Sequence, residues 1–349
     1  MKAVSSVIRC TASLGCDIGV SENTDMENSL PLVSVVVLTY NQAVYIGRAM
    51  DGILSQKTDF PFEILVGDDA STDGTGEILQ EYAKKYPGRI RLFLREENLG
   101  ASRNIYELLC AARGTYIATC EGDDYWISPH KLQKQKKVME ENPACVGCVH
   151  PFQIVNEKEE PFSRKSLSWI REKDCFSFQD FQGLYLPGQF STWFFRNIFA
   201  DSGGRYTCIY TIHRQISDRV IMMTLLLQGD ILRIPESMSC YRYVVRETGQ
   251  NATSQFYRKN EGMIRQEMDI TEKLESYAQK VFQIDVRFQK RRYEIFTDAF
   301  VQWIKRRDPQ SREDRRAALA FTGKKIRAVF RLPVQMMQKL REKSAGMRR

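Results

Sequence analysis

Several common signatures are missing from this 349-residue sequence. No run of eighteen or more apolar residues occurs, so no segment reads as a membrane-spanning helix. There are only three His and nine Cys, and the Cys follow no repeated spacing. Cys145 and Cys148 make a lone C-x-x-C, without the second pair a zinc site needs. No G-x-G-x-x-G follows the first apolar run, and no Walker A sequence appears, so neither a dinucleotide-binding Rossmann site nor a P-loop is expected. There is no internal repeat and no low-complexity block. Met1 to Leu14 carries Lys2 and Arg9 but no apolar stretch of signal-peptide length. Residues 1–30 are read as an unpatterned extension, with Met26 as a second candidate start.

What is present is the composition of a globular protein: 43% hydrophobic and 27% charged residues. The formal charge of +8 is unevenly spread. From Lys305 to Arg349 there are fifteen Lys and Arg against four Asp and Glu, and the rest of the chain is slightly acidic. Any partner selected by positive charge therefore meets the C-terminal region. Scattered thiols suit a reducing, cytoplasmic setting.

From Pro31 the pattern is regular. Val33 to Thr39 is a continuous β-branched run, the mark of a strand buried on both faces. Ala43 to Gln56 follows as a helix, with Ile46, Ala49, Met50, Ile53 and Leu54 at helical spacing. Strands are expected at 62–66, 90–94, 116–120, 145–149, 191–195 and 231–234. Helices are expected at 74–86, 101–112, 129–140 and 218–228. This alternation implies an α/β fold with a mostly parallel sheet flanked by helices. Beyond Phe256 helix formers and charges dominate, with Pro309 and Pro333 as breaks. The expected organisation is one α/β domain over 31–250, divided at about residue 150, and a helical basic region over 251–349.

Ligands of such sheets bind at the carboxyl ends of the strands. Four polar segments lie there: Thr39-Tyr40-Asn41, Gly67-Asp68-Asp69-Ala70-Ser71-Thr72-Asp73-Gly74, Asn98-Leu99-Gly100, and Glu121-Gly122-Asp123-Asp124. Three carboxylates within four residues repel one another, and a hard divalent cation with oxygen ligands relieves that repulsion. A solvated acidic turn capping the next helix is the simpler reading of the same residues. Asp68 and Asp69 suit either a nucleotide contact or turn and N-cap chemistry. Arg103 is a candidate phosphate or base contact, or an ordinary helix-surface residue.

Taken together and in this order, the four segments resemble the family 2 glycosyltransferases of GT-A fold, over about residues 31 to 150. The resemblance implies transfer of a sugar from a nucleotide diphosphate donor, with UDP favoured, to an acceptor hydroxyl. It implies that Thr39, Tyr40 and Asn41 line the nucleotide pocket, that Asp69 bonds the base, and that Arg103 supports it. Glu121-Gly122-Asp123 corresponds to the D-x-D element. Asp123 is then the direct ligand of Mg²⁺ or Mn²⁺, and Glu121, where Asp is usual, faces the ribose or a metal-bound water. Asp124 either supports these ligands or faces the sugar. The resemblance also implies a general base at the start of a helix in the acceptor half. Asp218 is the best candidate, with Asp201 and Asp230 as rivals, and the alternative for Asp218 is a first-turn acid favoured by the helix dipole. Trp193 and Phe194 read as core in preference to a sugar platform.

The expected acceptor is a glycan or a lipid-linked sugar, as in cell-surface polysaccharide or glycolipid synthesis. An inactive transferase-like binding module at a membrane is the main alternative, and a sugar nucleotidyltransferase a lesser one. In the tail, Ile326, Val329, Phe330, Pro333, Met337 and Leu340 fall near one helical face, and the basic residues fall mostly elsewhere. That pattern suits an anionic membrane surface and a peripheral location on the inner face of the cell membrane. Without aromatic residues interleaved among the basic ones, nucleic acid is not an expected partner.

Overall fold

A strand apolar on both faces is stable only where helices cover both sides of its sheet. Val33–Thr39 (β1) and Phe62–Asp68 (β2) occupy such interior positions in an eight-stranded sheet. On one side, Val36 and Leu65 pack under Ile105, Leu108 and Leu109 of Ala101–Ala111 (α3). On the other, Val35, Val37, Ile64 and Val66 pack under Ile46, Ala49, Met50 and Ile53 of Ile46–Leu54 (α1) and Leu79 of Thr75–Lys85 (α2). The computed structural model describes residues 30–162, 167–200, 202–243 and 262–323. The basic tail pattern from Lys324 onward, the extension up to Ser29 and the rival base Asp201 lie outside the described residues.

The remaining strands are Ile90–Leu94 (β3), Tyr116–Glu121 (β4), Tyr125–Trp126 (β5), Gly147–Val149 (β6), Phe152–Val155 (β7), Cys175–Phe176 (β8), Phe194–Arg196 (β9), Ile231–Arg233 (β10) and Ser239–Arg242 (β11). The large sheet runs β3-β2-β1-β4-β9-β6-β10-β8. Its first four strands are parallel, and β9 is antiparallel to both neighbours. The carboxyl ends of β1, β2, β3 and β4 therefore share one edge, and the four polar segments share it with them.

Some elements differ from expectation for local reasons. The first helix begins at Ile46 instead of Ala43, because Asn41 is left-handed (φ 52°) and the Gln42 and Ala43 amides donate to Thr75 Oγ1 and Asp73 Oδ2. The expected strand at 191–195 divides into a 3-10 turn, Phe190–Thr192, and β9. A second sheet, β5-β11-β7, had no signal in the sequence, since its strands are only two to four residues long. Lys131–Glu141 (α4) and the short Cys208–Thr211 (α5) flank the large sheet, and Asp218–Leu226 (α6) follows in the second half.

Three helices close the described chain: Met263–Phe282 (α7), Gln289–Arg306 (α8) and Pro309–Phe321 (α9). Ile270, Leu274, Tyr277 and Ala278 of α7 pack in the same core as Val220 and Met223 of α6. Ile264 instead joins Ile295, Phe296, Ala299, Ala318 and Phe321 in a smaller core with α8 and α9. Pro309 falls at the break between α8 and α9 and opens α9 at its first turn, where its missing amide hydrogen costs nothing. Asp308 caps that helix by accepting from the Ser311 amide at 2.7 Å.

Candidate active site

The site grows from the turn after β4. The Gly122 amide donates to the Leu38 carbonyl at 2.8 Å, which ties this turn to the end of β1. A Cβ at Gly122 would stand 2.4 Å from Gln42 Oε1 and 2.9 Å from Thr39 Oγ1. Only glycine allows that approach. Glu121 and Asp123 are half-buried and Asp124 is buried, with one carboxylate oxygen from each lying within 4.8 Å of the others.

Asp124 spends its oxygens inside the protein. Oδ2 accepts from Ser191 Oγ at 2.7 Å and Gln189 Nε2 at 2.5 Å, and Oδ1 accepts from the Arg242 amide at 2.9 Å. Burial, and then the Asp123 charge, push its carboxyl up to about 8. Gln189 Nε2 also donates to Glu121 Oε2 at 2.8 Å. Burial first, then Asp124, Asp123 and Asp218, raise the Glu121 carboxyl well above the ordinary carboxylate range. Burial raises Asp123 too, opposed by Arg242 and Gln42. The donor set is all oxygen, and its charges repel at short range. It fits a hard divalent cation such as Mg²⁺ or Mn²⁺. With Asp124 internally bonded, Glu121 and Asp123 are the two carboxylates left to meet one.

Asp218 is the first residue of α6 and lines the same cavity as Glu121, a space of about 170 Å³. The other walls include Leu38, Trp169, Gln189, Phe190 and Tyr241. Asp218 Oδ1 accepts from the Arg219 amide at 2.7 Å. Burial raises its carboxyl, and Arg219 opposes the rise. The Arg219 guanidinium is itself buried and pairs with Glu267 of α7 at 2.8 Å. The rival Asp230 is exposed beside Cys175 Sγ and precedes β10. Since β10 runs in the same direction as β4, Asp230 lies at the opposite edge of the sheet from Glu121.

The remaining sequence candidates form a stitched rim. Tyr40 is exposed at 42%, and Thr39 is buried with its Oγ1 unpartnered. The Asn41 amide donates to Ser71 Oγ, and Asn41 Oδ1 accepts from the Thr72 amide, each within 2.9 Å. Asp69 is buried and clamps the loop before α3: Oδ1 accepts from the Leu99 amide at 2.7 Å and Oδ2 from the Gly100 amide at 2.9 Å. Burial raises its carboxyl, and those two amides oppose the rise. Arg103 stands away from Asp69 in its bonding. It is half exposed on α3 and pairs with Glu107 one turn on, at 3.0 Å. Trp193 is 1% exposed and Phe194 fully buried, as core residues.

Sequence reading missed four contributors. Gln189 and Ser191 hold the acidic turn from the 3-10 turn before β9. Arg242 holds it from β11. Arg214 covers the Asn98–Gly100 loop, donating to the Asn98 carbonyl at 2.6 Å. All four come from more than sixty residues away, so no local spacing points to them. The polar Gln189-x-Ser191 before an aromatic run was the one available hint.

Residues 34–202 match the family model for Glycosyl transferase family 2. An uncharacterized protein of Mycobacterium tuberculosis is 46% identical over 143 residues, which are 40% of this chain and 41% of that protein. The putative teichuronic acid biosynthesis glycosyltransferase TuaG of Bacillus subtilis is 40% identical over 139 residues, 40% of this chain and 54% of TuaG. The chain thus spans about half the length, or less, of these curated relatives. The crystal structure of S. aureus TarS 1–349 in complex with UDP-GlcNAc superposes with a TM-score of 0.58 at 18% identity, covering 83% of this chain and 80% of that one. Residues 34–202 thus match glycosyltransferase family 2, and the fold that carries the site is the one seen in the TarS structure.

Proposed function

We propose that the protein is an inverting, metal-dependent glycosyltransferase that moves a sugar from a nucleotide diphosphate to an acceptor hydroxyl. The observation that carries this reading is one cavity walled by both Glu121 and Asp218, next to a set of oxygen donors within 4.8 Å. Asp218 takes the proton from the acceptor hydroxyl as that oxygen attacks the anomeric carbon, and the nucleotide diphosphate leaves with the electrons of the broken C–O bond. A carboxyl raised by burial holds a proton better at neutral pH, as a general base requires. Asp123 and Glu121 would hold Mg²⁺ or Mn²⁺, which supplies positive charge to the departing diphosphate.

Tyr40 and Thr39 form the nucleotide side of the pocket. Asn41 and Asp69 shape it from behind, since their side chains already bond backbone amides. Arg103 contributes through the α3 surface. The likeness to TuaG supports a cell-surface polysaccharide or glycolipid as the product, with a glycan or lipid-linked acceptor. The basic C-terminal segment would bring the enzyme to the inner face of the membrane. UDP is the donor nucleotide to try first, being the one held by the TarS complex.

Calorimetric titration of UDP, with and without Mn²⁺, tests the reading against an Asp123→Ala variant. Metal-dependent binding that the variant lacks is the expected result. Silence with UDP, GDP and dTDP alike sinks it in favour of an inactive binding module.

A further inference from the structure

The cavity at Asp218 adjoins a second one of about 320 Å³, and the two share Trp169, Leu184 and Arg219 as walls. The far side of the second cavity is built by α7 and α8, through Ile264, Glu267, Arg291 and Asp298. These helices lie beyond residue 202, where the family match ends.

We infer that this second cavity seats the sugar unit that precedes the reactive one, so that the acceptor is an oligosaccharide of two or more units. The inference rests on the glycosyltransferase reading above. A pyranose offers an apolar ring face and a rim of hydroxyls, and the cavity offers both complements. Trp169 is half-buried on the shared wall, and an indole is the kind of apolar surface on which a sugar ring packs. The Tyr185 ring is already covered, by Arg171 at 3.7 Å and Lys290 at 4.8 Å. Arg291 uses Nη2 and Nη1 on Glu267 and Glu294, and its buried Nε has no hydrogen-bond partner. A buried donor left unpaired is costly, and a ligand hydroxyl at that point would satisfy it.

Charge narrows the ligand class. Glu267 pairs with both Arg219 and Arg291, and Asp298 adds a further carboxylate. The lining holds two cations and two anions, so it does not select a phosphate. An acyl chain would leave the Arg291 Nε unpaired. A neutral polyhydroxyl unit supplies the acceptor that it lacks.

The test uses the full chain with UDP and Mn²⁺ on a printed array of mono- to tetrasaccharides, beside solution titration of UDP. Two variants are compared: Trp169→Ala, which removes the platform, and Asp298→Trp, which fills the cavity. The wild type is expected to hold some oligosaccharides about tenfold or more tighter than the matching monosaccharides. Both variants should lose that difference while keeping UDP affinity. Equal retention of mono- and oligosaccharides, retention of no glycan, or an Asp298→Trp variant that still prefers oligosaccharides overturns the inference while the donor reading stands. Loss of UDP binding in the wild type overturns both.

Discussion

Arg242 donates from Nε to the backbone carbonyl of Asp123 at 2.9 Å, across 119 positions of sequence. Its own amide holds Asp124 Oδ1, also at 2.9 Å. Its other nitrogens reach the carbonyls of Asn156 and Glu157 and the carboxylate of Glu159, and its guanidinium lies over the Tyr45 ring at 4.4 Å. One buried side chain therefore fixes the backbone on which the candidate metal ligand stands. Arg242→Lys keeps the charge but loses the planar fork. We expect Mn²⁺-dependent UDP affinity to fall about 10–100-fold, the usual effect of losing a group that orients a ligand. Calorimetry on a variant with native circular dichroism measures it, and unchanged affinity rejects the orienting role.

Asp218→Asn should lower transfer by about 10²–10⁴-fold, the ordinary contribution of a general base. UDP affinity should stay at the wild-type value, because Asp218 stands on α6 and not on the nucleotide rim. Loss of UDP binding in this variant would reassign Asp218 to holding the fold.

At Gly122 the constraint is steric. Gly122→Ala drives a methyl into Thr39 Oγ1 and Gln42 Oε1, both buried without hydrogen-bond partners. Overpacking of this kind costs about 1–3 kcal/mol. The urea midpoint should fall, and UDP binding should weaken with it as the turn moves away from β1. A variant as stable as the wild type would mean that the β4 turn is free to shift.

Much of this was legible in the sequence because the carriers are local. The apolar runs of β1 and β2 and the polar segments after β1 to β4 sit in one stretch of about ninety residues, and the parallel pairing β3-β2-β1-β4 brings those segments to one edge. What the sequence hid is what arrives from elsewhere. Gln189, Ser191 and Arg242 bond Asp124 across 65 to 118 positions, and no periodicity encodes such a contact. Asp69 illustrates the converse. Its type and place suggested a nucleotide contact, but turn amides also attract carboxylates, and here Leu99 and Gly100 claim both oxygens. The role of α7 in the main core was hidden because its charged residues mask a buried stripe of Ile270, Leu274 and Ala278.

Glu267 sets a pH dependence of stability. Burial pushes its carboxyl up, but Arg219 and Arg291 outweigh burial and hold it at about 2, against an ordinary 4.5. A depressed acid stabilises the folded state fully above its unfolded value, and that stability is lost as pH falls through the folded value. The window is therefore about pH 4.5 down to 2, and the shift corresponds to about 3 kcal/mol. Glu267→Gln should be less stable than the wild type by about 3–5 kcal/mol at pH 7, because two buried guanidiniums lose their partner. Urea unfolding at pH 7, 5 and 3.5 should give the same gap at the first two and a smaller one at the third. A gap that does not narrow would mean that the variant acts through packing and not through charge.

The C-terminal segment is tested by cutting after Gly323, not nearer Asp308, because residues 309–321 form α9 and bury Ala318 and Phe321 against α8. Beyond Gly323 the sequence carries nine Lys and Arg against a single Glu. Near an anionic surface each such cation contributes about 1 kcal/mol, so even partial engagement gives measurable binding. The full chain should pellet with vesicles containing phosphatidylglycerol, and much less with pure phosphatidylcholine. The shortened chain should stay in the supernatant with both while binding UDP as before. Equal pelleting of the two chains would place any membrane contact on the helices that remain, where Lys305, Arg306 and Arg307 are exposed at the end of α8.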